Sequence, residues 1–314
     1  MRIFVFLLPI MAVLYPADYF LSTYLSDSKD YAAGEVKVWK DIYDGHVNSE
    51  LVIYGSSRAW IHFSPKIIED SLQISAYNLG MDGHNFSLQY LRHKELLKFN
   101  KPPTEIILSL DVFTIQREKD LYNYEQFLPF LLWNKDIRQY TSSYIGFSMY
   151  DYDIPLVRYQ NESNALLAAF KSLMDYHTTP ARIKGYMGMD KYWNDDLENA
   201  QAKAGSFTID IDSTVVQKLE QFINECKEYG IRLTLVFSPE YIEGQAFVRN
   251  RNEIISIYKN FAKKYNLLFL DYSNDTLSHQ KQFFYNAEHL NKLGSELFTI
   301  KLINDFRAQQ LDPN

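Results

Sequence analysis

Short apolar runs alternate with amphipathic stretches along much of the chain. "ELVIYG" (50–55), "ISAYNLG" (74–80), "TEIILSLD" (104–111), "IRLTLVFSP" (231–239) and "NLLFLDYS" (266–273) read as buried strands. Helical spacing of apolar residues recurs at 64–72, 85–99, 213–229, 246–264 and 291–306. Ser64 and Pro65 stand where a cap and a first helical residue belong, and Gly230 ends the third of these helices. Strands separated by helices predict a three-layer α/β/α fold around a mainly parallel, five-stranded sheet covered on both faces. Sheets of this kind place their ligands beyond the carboxyl ends of the strands. The positions there are Gly55–Arg58, Gly80–Asn85, Asp111–Thr114, Ser238–Glu240 and the loop before the last helix.

The alternation stops between 113 and 205, where short helical patterns replace strands. Aromatic residues make up about a fifth of 113–193, against 16% overall. That enrichment is too mild to separate a sugar-stacking surface from ordinary packing of a helical insertion.

The amino-terminal pattern is different again. After Arg2, the thirteen residues Ile3–Tyr15 are uncharged and mostly apolar, and the apolar character runs on to Leu25, interrupted by Asp18. A helix from Ile3 to Leu25 would be about 34 Å long, enough to span a bilayer. The absence of a small-x-small site near Tyr15–Ser22 favours an uncleaved anchor over a cleaved signal peptide. Pro9 and Pro16 argue against a buried core helix, because proline interrupts the helical ladder. Arg2 ahead of the span favours a cytoplasmic amino terminus and an exported body in the cell envelope. The expected organisation is an anchor at 1–25, a polar spacer at 26–50, and an α/β domain at 51–310 carrying the insertion 113–205.

Bulk composition narrows the function. The 314 residues suffice for a sizeable core, and 46% hydrophobic with 23% charged is ordinary for a globular protein. A net charge of −7 with no long basic run argues against nucleic-acid binding. One cysteine, Cys226, excludes an internal disulfide and a cysteine-based metal site. The histidines show no metal-ligand spacing, and "GMDGHNF" has neither the lysine of a phosphate loop nor the glycine spacing of a dinucleotide site, so neither metal nor cofactor is expected.

Two residues carry the chemistry that remains. Ser57 follows the first strand, and His289 precedes the last helix, so the topology can bring both to one rim. A serine hydroxyl is a weak nucleophile until a base takes its proton, and a neutral imidazole is the side chain suited to that near pH 7. Taken singly, Ser57 also fits a turn or cap, and His289 a structural role.

In combination the motifs resemble the SGNH (GDSL-like) hydrolase superfamily, more narrowly its membrane-anchored envelope branch of DltD-like and alginate-acetylation-like proteins. Gly55-Ser56-Ser57 matches the first block, "NLGMDG" (78–83) the second and "NAEHLNKLG" (286–294), in part, the last. The resemblance implies that Ser57 is the nucleophile, His289 the base, and the backbone N–H groups of Ser57 and Gly83 the oxyanion hole. It implies an esterase or O-acyltransferase acting on acyl, typically acetyl, esters of an extracytoplasmic polysaccharide or wall polymer, with a membrane-bound O-acyltransferase as partner. Two departures stand out. Asn286 replaces the expected aspartate; it can orient the imidazole but cannot offer a full negative charge. The block after the third strand is missing, and "LSLDVFTI" offers Asp111 instead. A catalytically decayed binding or assembly factor in an acylation or export complex therefore stands as the alternative. Arg58 could hold a substrate anion or a site carboxylate such as Asp111, Asn78 could support the loop, and Glu288 is a charged neighbour of His289.

Overall fold

The computed structural model describes residues 2–176, 181–203 and 205–311, with the side chains of residues 1–7, 310 and 311 outside the description. In chain order the main elements are α1 (Arg2–Ser26), α2 (Glu35–Tyr43), β1 (Leu51–Tyr54), α3 (Ser57–His62), α4 (Pro65–Leu72), β2 (Ala76–Asn78), α5 (Phe86–Phe99), β3 (Glu105–Leu110), α6 (Lys135–Thr141), α7 (Met149–Asp153), α8 (Ser163–Leu173), α9 (Asp196–Lys203), α10 (Ser213–Glu228), β4 (Arg232–Phe237), α11 (Arg251–Tyr265), β5 (Leu268–Asp271) and α12 (Lys292–Leu311). They divide into two units, one made of Met1–Asp44 with Glu118–Arg182, the other of Gly45–Arg117 with Ile183–Asn314.

The larger unit holds the sheet. Its five strands lie in the order β2-β1-β3-β4-β5, and every pairing is parallel. β1, β2 and β3 are buried almost throughout, as expected for a parallel sheet covered by helices on both faces. One cluster of the core gathers Leu51, Ile53, Phe63, Ile107, Val236 and Phe298. The five expected strands are all present. β2 is shorter than its apolar run at both ends, although the Leu79 and Met81 N–H groups still donate to the Ile53 and Gly55 carbonyls beyond it.

The helix boundaries differ in instructive ways. Asn85 caps α5 by accepting from the Ser87 N–H. Ser64 occupies the cap position of α4 but makes no capping bond; its N–H donates instead to Thr299 Oγ1. The pattern at 246–264 begins later than expected, at Arg251, after a short 3-10 turn at Gly244–Phe247. Helix α3 was not expected at all, since six residues are too few to show a period.

The smaller unit corrects the expected organisation. Residues 26–50 are not simply a spacer. Helix α2 buries Val36, Val38, Trp39 and Ile42, while Lys37–Asp41 and Lys40–Asp44 pair along it. The mixed charges belong to one face of an amphipathic helix and conceal the apolar face in a composition count. Of the insertion 113–205, only Glu118–Arg182 joins α1 and α2 in this unit, and 183–205 belongs with the sheet.

The leader forms one helix with Pro9 and Pro16 inside it, so the prolines do not break it as expected. Asp18 is fully buried and is held by both terminal nitrogens of Arg158 (2.7 Å each), by Trp133 Nε1 (3.0 Å) and by the Leu156 N–H (2.7 Å). A charge that looked like an interruption of the span is the polar clasp of this unit. Among the described residues no helix is long and apolar enough to cross a membrane.

Candidate active site

The site is built at the carboxyl end of β1. Gly55 follows that strand at φ +145°, and a Cβ there would lie 2.6 Å from the Ser109 carbonyl oxygen. Only glycine fits that approach, and it lets the chain turn directly into α3. Ser56 is the cap of α3, accepting from the Arg58 N–H (3.3 Å), while its hydroxyl donates to Asp111 Oδ2. Ser57 is the first residue of α3, a position whose N–H has no partner within the helix.

Ser57 Oγ lies 2.8 Å from His289 Nε2. On the other side of the ring, Nδ1 lies 3.0 Å from Asn286 Oδ1. The same oxygen accepts the backbone N–H groups of Glu288 (3.1 Å) and His289 (2.9 Å). These two donors decide which end of the amide faces the ring, because an NH2 group cannot accept them. His289 must then carry its proton on Nδ1 and present the Nε2 lone pair to the serine. A hydroxyl, an imidazole and an acceptor in hydrogen-bonded sequence can serve as nucleophile, base and orienting group.

The loop holding His289 is pinned from several directions. Phe284 and Leu290 form an antiparallel bridge, and the Tyr285 N–H donates to the His289 carbonyl (3.1 Å). The Tyr285 ring stacks on the imidazole with centroids 5.4 Å apart and planes 8° from parallel. The Leu290 N–H donates to His62 Nε2 (3.0 Å), so His62 Nδ1 carries the proton and donates to Ser238 Oγ (3.0 Å). Burial is the main reason the His62 pKa lies well below 6.5, with Arg58 and His289 adding to the shift. His62 thus ties the end of α3 to the loop of the base. Neither Tyr285 nor His62 was singled out from the sequence. Both act through contacts with distant residues, and only the aromatic four positions before His289 hinted at one of them.

Burial also holds His289 neutral. Its ring, partly open to solvent but surrounded by protein atoms, is pushed down from 6.5 to about 3, first by desolvation and then by the positive charges of Arg58 and Lys191. Glu288 moves the other way, from 4.5 up to about 7. The residue is exposed overall, yet its carboxyl is desolvated and stands near Glu240, Asp111 and Asp196, with Arg58 opposing their effect.

The remaining expected site residues take structural places. Arg58 does not face a substrate: it is buried, donates from Nη1 to Glu240 Oε2 (3.0 Å) and from Nη2 to the carbonyls of Ser238 and Pro239. The Arg58–Asp111 pair anticipated from the sequence is replaced by Arg58–Glu240, because β4 delivers Glu240 beside the guanidinium. Glu240 Oε1 in turn accepts from Arg251 Nε (2.7 Å). Asp111 orients the nucleophile turn through Ser56 and also accepts from the Phe113 N–H (2.8 Å) and the Thr114 hydroxyl (3.2 Å). Asn78 is a brace: Nδ2 donates to the carbonyls of Ala59 (2.8 Å) and Phe63 (2.9 Å), and Oδ1 accepts the Gly80 N–H (2.9 Å). Gly83 sits exposed at φ +69° in the turn before α5.

A cavity of about 260 Å³ opens beside Asn286 and Glu288, walled by Val112, Leu197, Phe207 and Phe247. A larger one, about 700 Å³, touches Arg232 and Leu268 at the amino ends of β4 and β5, the opposite end of those strands from the serine and histidine. Among the described residues no cluster of histidine, cysteine and carboxylates could hold a metal ion.

No family profile matches the chain, and no curated protein matches it. It is similar to solved structures. One is an acetyl xylan esterase, AlAXEase, at 14% identity and TM-score 0.42, covering 81% of this chain and 98% of that one. Another is a GDSL-like lipase from Bacteroides thetaiotaomicron, at 9% identity and TM-score 0.38, covering 83% and 88%. A third is described provisionally as a platelet activating factor from Streptococcus pneumonia; it shares 12% identity at TM-score 0.44, covering 92% and 98%.

Proposed function

We propose that this chain is a serine esterase or O-acyltransferase of the cell envelope, acting on acyl esters of an extracytoplasmic polysaccharide or wall polymer. The observation that carries the chemistry is the Ser57 Oγ–His289 Nε2 separation of 2.8 Å, with Asn286 on the far nitrogen. Ser57 attacks the acyl carbonyl while His289 takes its proton. The imidazolium then returns that proton to the leaving oxygen, forming the acyl-enzyme. Water as the next acceptor completes hydrolysis, and a sugar hydroxyl completes transfer. The Ser57 N–H, free of the helix, suits the developing oxyanion, and the Gly83 N–H is its proposed companion. The envelope setting, the polymeric substrate and a membrane-bound O-acyltransferase partner rest on the apolar leader and the motif resemblance.

A fluorophosphonate probe tests the chemistry. Labelling of the wild type that vanishes in Ser57→Ala is the expected result. Absence of labelling in the wild type would overturn it and favour a decayed assembly factor, the reading that Asn286 in place of a carboxylate suggests.

The pH dependence provides a second check. With His289 held near 3, its neutral base form persists far below the usual histidine range. Toward a neutral ester, kcat/KM in Glu288→Gln should stay level between about pH 8 and 5. An inflection in the wild type near 7, absent from that variant, would belong to Glu288, whose carboxyl gains its charge as pH rises through about 7. An inflection near 6.5 in Glu288→Gln would show that His289 titrates normally and is not held neutral by its surroundings.

A further inference from the structure

The smaller unit exposes apolar side chains on two of its helices, α1 and α8. Along α1, none of residues 8–17 is buried and none is charged; Leu8, Ile10 and Val13 are each more than half exposed. Ten helical residues pass through every direction around the axis more than twice. A protein partner seated on one side would leave other exposed apolar residues wet, whereas lipid surrounds such a segment on several sides at once.

The adjoining helix continues this surface. Helix α8 packs against α1, leaving a groove of about 520 Å³ lined entirely by uncharged residues, among them Pro16, Phe20, Tyr24, Leu166, Phe170 and Leu173. On α8 itself Leu167 (52%) and Phe170 (58%) face outward. Polarity is sorted along the pair. Tyr15 and Tyr19 meet Trp133 edge-on, at 6.2 and 5.5 Å between centroids, the aromatic grouping typical of a membrane interface. At the other end Asp27, Lys29, Asp30 and Asp175 gather, with Lys171 placed to extend its ammonium toward them.

We propose that α8 lies in the surface of the same bilayer that receives the amino-terminal half of α1, so that the insertion supplies a second membrane contact. The proposal rests on the anchored setting given above and not on the acyl chemistry, which can fail without it. The test uses the full chain with Phe170→Cys, and separately Leu167→Cys, labelled with nitrobenzoxadiazole; the native Cys226 is buried. A Tyr192→Cys label, at a residue 93% exposed in the other unit, serves as the water reference. With phosphatidylethanolamine–phosphatidylglycerol vesicles carrying nitroxide lipids, the α8 labels should shift to the blue and lose fluorescence, while the reference does neither. Cosedimentation with vesicles while both α8 labels keep their aqueous emission would overturn the second contact. Failure to cosediment would overturn the anchored setting along with it. Neither result bears on the probe labelling of Ser57.

Discussion

Ser57→Ala and His289→Ala are each expected to lower kcat/KM toward an activated acetyl ester by on the order of 10⁴-fold, and the double variant by little more than either alone. In the proposed mechanism the serine and the histidine act as one unit: without the imidazole at 2.8 Å the hydroxyl keeps its proton, and without the hydroxyl the imidazole has nothing to activate. Asn286→Asp tests the third member. A carboxylate in the same place can accept the His289 ring N–H and both backbone N–H groups, and it adds a negative charge beside the imidazolium, so kcat should be kept or raised. Asn286→Ala removes the acceptor that fixes the tautomer and should lower kcat. The measurement is initial rate against ester concentration for each variant. Activity within tenfold of wild type in His289→Ala would remove the proposed base from the mechanism.

Glu240→Ala is expected to destabilise the fold by roughly 3–5 kcal/mol, the cost typical of leaving buried charges unpaired. Glu240 is buried between Arg58 and Arg251, and both guanidiniums lie 5.0 Å from the centroid of the Phe237 ring. Removing the carboxylate leaves two like charges with little water to screen them. The Ser238 and Pro239 carbonyls satisfy some donors of Arg58 but supply no countercharge. Urea unfolding of the purified chain measures the loss. A change below about 1 kcal/mol would mean that the triad is effectively solvated. The variant should also lose the proposed activity toward an acetyl ester faster on heating, since Arg58 directly follows Ser57.

Much of the fold was legible before any coordinates. The five apolar runs became the five parallel strands; four are buried almost throughout, as continuous apolar runs allow, whereas β5, expected to be buried, lies at the sheet edge and is only half-buried. Gly55, Ser57 and His289 could be placed on one rim from the topology, since a glycine after a strand and a histidine before a helix mark where chains turn, whereas Asn286 came into view only through the motif resemblance. Arg58 was misplaced for a definite reason. Its sequence neighbours are the nucleophile turn, but its partner is Glu240, which arrives from the end of β4. Trp39 and Ile42 were hidden in a segment whose charges made it look like a tether. Asp18 seemed a blemish in an apolar span, because Arg158 lies far along the chain.

The order of apolar and polar residues by itself determined the layered sheet and which loops share its carboxyl edge, because hydrophobic periodicity and the hand of parallel crossovers leave few other arrangements. Tertiary structure alone decided which charges are neutralised, which nitrogen of His289 carries the proton, and which side chains brace it. Those outcomes depend on distances of about 3 Å between residues brought together from remote parts of the chain, and no local pattern encodes such distances.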